Sequence, residues 1–124
     1  MRFVTAALTI AAVCASAAVA VASPPRLSDV QFLAANRCLG IESTKQFASP
    51  DADALRQLLK GQTGGRDSYI YDKADQIRED GVRDASRAGA ENNARLAAER
   101  DGVCRALAST TTASTPGAPH NMVQ

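Results

Sequence analysis

The sequence predicts an all-α fold, a small disulfide-stapled bundle of three helices, and three observations carry that prediction. No stretch alternates apolar and polar residues as a half-buried strand does. Three helix starts follow one another, at Ser28, at Ser49 and at Asp67 or Ser68, each with a residue suited to capping. From residue 68 to residue 107 there is no Pro, and Ala, Arg and Glu are frequent.

The first helix is expected over about residues 29–39. Ser28 and Gln31 form the S-x-x-Q capping box, in which each side chain satisfies a backbone N–H near the other. Leu27 before the cap and Phe32 after it suit a hydrophobic staple. Val30, Leu33, Ala34, Cys38 and Leu39 supply its apolar residues, and Gly40 is a natural stop. The second helix starts at Ser49-Pro50-Asp51-Ala52-Asp53, where Ser caps, Pro suits the first helical position and the acids favour the positive dipole end. Leu55, Leu58 and Leu59 give it an apolar face, and Gly61 with Gly64-Gly65 ends it. The third helix carries acid-before-base pairs four apart, Glu79 with Arg83, Glu91 with Arg95 and Asp101 with Arg105. Each exposed pair is worth only a few tenths of a kcal/mol, about 0.3–0.5.

A straight third helix would be about 60 Å long, more than two short helices can cover. Between Gly81 and Arg95 only Val82 is large, and Gly81, Ala85, Ala88 and Gly89 make a small-residue seam. Either the chain breaks there into a fourth helix, or the seam packs on another chain. Each Gly costs only about 1 kcal/mol against Ala, so a kinked or overhanging helix is favoured over a full break. In that arrangement the first and third helices run parallel, and joining Cys38 to Cys104 sets Ser28 beside Ala94.

Residues 1–22 read as a secretory signal peptide. Arg2 is followed by an apolar, Ala-rich run to Ala22, and Ala20-Val21-Ala22 suits cleavage. The competing reading is a membrane anchor, which Ala supports poorly. Cleavage removes Arg2 and Cys14, leaving 13 basic and 13 acidic residues and two cysteines. In an oxidising compartment, periplasmic or secreted, Cys38 and Cys104 are expected to pair; free or intermolecular thiols are the alternative. Residues 23–109 form the expected helical domain. Residues 110–124, rich in Ser, Thr and Pro, read as a disordered tail.

Composition excludes several functions. A near-zero net charge argues against nucleic-acid binding, and no second apolar run predicts membrane insertion of the mature form. His120, the one His, lies in the tail, so no His-based triad, metal site or haem site is expected, and no cofactor. Asp72, Asp75, Glu79 and Asp80 are candidates for a divalent cation or an acid–base pair, but Lys73, Arg78 and Arg83 interleave them, which marks a solvated face. The loop from Gly61 to Arg66 lacks the Lys and hydroxyl of a phosphate-binding loop. Cys38 and Cys104 lack the C-x-x-C spacing of a redox pair.

What remains is a non-enzymatic interaction domain of adaptor, inhibitor or immunity type, binding a protein partner or itself. Tyr69, Tyr71, Gly81, Ala85, Ala88 and Gly89 on the third helix are the candidate contacts. In plan, though in no shared motif, the chain resembles small periplasmic acid-stress chaperones and small periplasmic inhibitor or immunity proteins. The second reading is therefore a stress chaperone that opens under acid or reducing conditions. A carboxylate-based metal binder or enzyme is the third.

Overall fold

The computed structural model describes residues 26–87 and 89–113. The expected leader with its cleavage point, Ala88, and residues 114–124 of the expected tail lie outside them. Among the described residues the chain is all-helical, without strands. Its elements are α1 (Asp29–Glu42), α2 (Asp51–Lys60), α3 (Ser68–Ala85), α4 (Ala90–Glu99), a π turn (Arg100–Cys104) and α5 (Arg105–Ala113). The last three form one continuous rod, so four rods pack where the sequence predicts three.

The first two helices start as their sequences require. The Gln31 N–H donates to the Ser28 hydroxyl at 3.2 Å, and the Ser28 N–H donates to the Gln31 side chain at 3.0 Å. The Ser49 hydroxyl accepts from the Asp51 N–H at 3.1 Å, and Pro50 already holds helical angles. Before α1 the chain is pinned by Arg66, whose guanidinium lies 4.4 Å from the centre of the Phe32 ring, donates to Leu27 O at 2.7 Å and pairs with Asp29. The Leu27 N–H donates to the buried Gln62 side chain at 2.8 Å. The loop from Gly61 to Arg66 is therefore filled by its own chain: Arg26 donates to the Gly64 and Gly65 carbonyls, and the Gly64 N–H donates to the Tyr71 hydroxyl at 2.8 Å.

Helices α1 and α3 run parallel and in close contact. Phe32 meets Tyr71 edge to face at 5.9 Å, Arg78 donates to the buried Asn36, and Arg37 reaches Asp84 at 3.1 Å. Gly40 and Gly81 allow this approach. A Cβ on Gly40 would overlap the Arg78 carbonyl oxygen, and one on Gly81 would lie 2.7 Å from the Arg37 carbonyl oxygen. Gly81 of the small-residue seam thus packs against α1 of the same chain.

The favoured kink is a full break. α3 ends at Ala85, and Gly89 has φ +150°, a backbone conformation that side chains rarely adopt. Asn92 then donates to the Asp84 carbonyl at 2.8 Å and the Arg87 carbonyl at 3.4 Å, tying the start of α4 back to the end of α3. The reversal returns the 90–113 rod antiparallel to α1. Leu96 packs with Ile41, Phe47 and Ala85 at one end; Leu107 and Thr110 stand opposite Val30 and Gln31 at the other. The expected pairing of Ser28 with Ala94 is overturned by this reversal. The modest cost of Gly89 is offset by burying Leu96 and by Arg37, which also donates to Glu99 at 2.7 Å. The last helix continues beyond Ser109 to Ala113, and Thr111 donates to the Ala54 carbonyl at 3.3 Å.

Cys38 and Cys104 form a buried disulfide with 5.4 Å between their Cα atoms. It ties α1 to the end of the π turn across 66 positions. Two outcomes are expected in urea unfolding. Gly40→Ala lowers stability by about 2 kcal/mol or more, because overlap with backbone outweighs helix propensity. Gly102→Ala, with no atom within 4 Å of its Cβ position, changes stability by less than about 1 kcal/mol. Reducing the disulfide is expected to cost about 4 kcal/mol, read as a large fall in Tm. An unchanged melting curve in reductant would refute that assignment.

Candidate interaction surface

The π turn decides what the rod shows to solvent. In a regular helix each residue advances about 100°. Seven steps from Leu96 bring Val103 to within about 20° of the same buried face, and leave Cys104 about 80° away. An ordinary helix would therefore bury Val103. The wide turn at Arg100–Cys104 inserts about one residue into the winding. It sets Cys104 in the inward place, fully buried beside Cys38, and swings Val103 out to 55% exposure.

Val30 is likewise turned out. α1 buries Phe32, Ala35, Cys38 and Ile41, and leaves Val30 77% exposed. Val30 and Val103 become the lips of a groove of about 440 Å³ between α1 and the rod. Ala34, Ala106, Leu107 and Thr110 line it further, with Gln31 at one side. None of these residues is charged. The sequence signal for the groove is faint, because Val103 fits the core of an ordinary helix.

The candidate contacts predicted from sequence fall in different places. Tyr69 is 67% exposed, on the acidic side of α3. Tyr71 is half-buried, its ring against Phe32 and its hydroxyl bonded to Gly64. Gly81 and Ala85 are buried against α1 and in the second core cluster, so they face this chain and not a partner. Gly89 forms the turn, and Ala88 lies outside the described residues. Of the described members of this set only Tyr69 and Gly89 are open to solvent, and nothing brings the two together. Asp72, Asp75 and Glu79 point to solvent, and Asp80 pairs with Arg83. Among the described residues no group of three or more His, Cys, Asp or Glu is placed to hold a metal ion. No helix among them is long and apolar enough to cross a membrane.

No protein-family model, curated protein or solved structure matches the chain.

Deleting Gly102 tests the winding argument. The shortened rod is expected to run as a regular α-helix with Cys104 still facing Cys38. Thiol counting by mass spectrometry should find the intramolecular disulfide intact, and Tm should not fall. Free thiols in that variant would sink the account of the π turn.

Proposed function

We propose that the chain is an exported, non-enzymatic protein-interaction domain of adaptor, inhibitor or immunity type. It binds through the groove between α1 and the 100–113 segment. The carrying observation is the pair of exposed valines, Val30 and Val103, lining a concave, uncharged surface. Lone exposed apolar residues are ordinary, but two that converge on one concavity are characteristic of a binding surface. The apolar, Ala-rich residues 3–22 and the long-range disulfide support export into an oxidising compartment.

The groove's chemistry selects its occupant. With no charge on the lining and small residues at Ala34 and Ala106, it suits the uncharged apolar ridge of a partner's helix. A charged segment would lose its hydration there without gaining a counter-charge. The proposed surface thus uses the last part of the predicted third helix, Val103 to Leu107, and not its Tyr69–Gly89 part.

The test is cross-linked capture from periplasmic extract at neutral pH, using the oxidised mature chain. Wild type is compared with Val30→Asp and Val103→Asp. One stoichiometric partner is expected, lost at least roughly tenfold in both variants, with stability changed by no more than about 0.5 kcal/mol. Retention of the partner by both variants would remove the groove from the reading.

A further inference from the structure

We propose that the corner where α1 ends, α2 begins and the rod makes its π turn is a pH-operated latch, shut by the neutral Glu42 carboxyl and loosened when that carboxyl ionises. Glu42 is the last residue of α1 and is only 2% exposed. Neither of its carboxylate oxygens has a hydrogen-bond partner. Buried carboxylates without partners are costly when charged and far less so when neutral. The negative end of the α1 dipole adds to that cost.

The charged groups around Glu42 do not answer it. From α2, Asp51 repels its charge. From the π turn and α5, Arg100 and Arg105 attract it, and the Ser49 hydroxyl also favours the charged form without a bond of normal geometry to either oxygen. Both arginines are engaged elsewhere. Arg100 donates to Asp101 at 3.0 Å; Arg105 lies 3.4 Å from Asp101 and 3.7 Å from Asp51. Asp101 therefore draws off the cations that would otherwise neutralise Glu42. Burial, with Asp51 adding to it, pushes the Glu42 carboxyl up to about 7.

The sign follows from linkage. An opened or unfolded chain gives up this proton near the ordinary value of 4.5, and the closed chain keeps it to about 7. Between those values opening releases a proton, so the opening constant rises by up to roughly tenfold per pH unit. Below and above that window it is level. The element that lifts is the connection at 43–50, which carries the buried Phe47 and closes through Phe47 N–H to Thr44 O and Ala52 N–H to Ser49 O, each 3.2 Å. Arg100 and Arg105 flank Val103 in the chain, so loosening here reaches the groove wall. That last consequence rests on the binding reading; the latch itself does not.

Amide hydrogen exchange on the full mature chain tests the latch without any partner. After correction for intrinsic rates, the Phe47 and Ala52 amides of wild type should lose at least roughly tenfold protection between about pH 5 and about pH 8. Glu42→Gln should hold the acid level of protection throughout. Asp101→Asn, which alters only an exposed side chain, frees Arg100 and should move the midpoint to lower pH. A flat wild-type profile, the same pH dependence in Glu42→Gln, or an unshifted midpoint in Asp101→Asn would each overturn the proposal. Capture of a groove partner is a separate readout, so either reading can fail alone.

Discussion

The Cys38–Cys104 bond is the constraint on which the rest of the structure depends. It fixes a point on α1 against a point on the last rod, and with α3 already packed parallel to α1 the chain reverses after α3 to meet it. Gly89 supplies the reversal, and Asn92 ties α4 back to the Asp84 carbonyl of α3. The bond also needs Cys104 on the buried face, where regular winding from Leu96 would put Val103. The π turn resolves that conflict within five residues, Arg100–Cys104. Burial of Leu96, formation of the bond and exposure of Val103 are thus one event.

Much of the local structure was legible in the sequence because its causes are local. The capping box at Ser28 and Gln31 and the cap at Ser49 follow from residue types a few positions apart. The disulfide follows from counting the cysteines that an expected leader would leave. The direction of the last rod was not legible. A Gly carries a small helical penalty whether it sits at a break or against a neighbouring backbone. Gly81 and Gly89 look alike in sequence, yet one receives the Arg37 carbonyl and the other turns the chain. What separates them is tertiary: Arg37 on α1 draws Asp84 and Glu99 together from two helices that would otherwise be collinear. The groove was hidden for the same reason. Val103 has the period of a core residue, and only the winding of the π turn shows that it is not.

Arg37 and Glu42 lie on the same helix, and their electrostatics are opposite. Arg37 is met by two carboxylates, and its bond to Glu99 raises its pKa, so its charge holds at any ordinary pH. Glu42, little more than a turn later, is buried without a bond. A partly buried ion pair with hydrogen bonds sets geometry; a buried carboxyl without them titrates within the physiological range. One end of the bundle is therefore fixed by charge, and the neighbouring corner is fixed by the absence of charge.

This contrast bears on the choice among functions. A chaperone that opens in acid needs groups whose protonation favours the open chain. The buried carboxyl of Glu42 works in the other direction: protonation suits the closed chain, and the closed corner is firmest in acid. Meanwhile the exposed apolar surface needs no opening at all, since Val30 and Val103 already stand out in the closed, oxidised bundle. A surface displayed by the folded state, on a frame held by a buried disulfide, is what a dedicated binder requires. The proposed groove therefore needs no acid-triggered opening. The π turn that builds the groove wall is the feature that joins the staple to the groove.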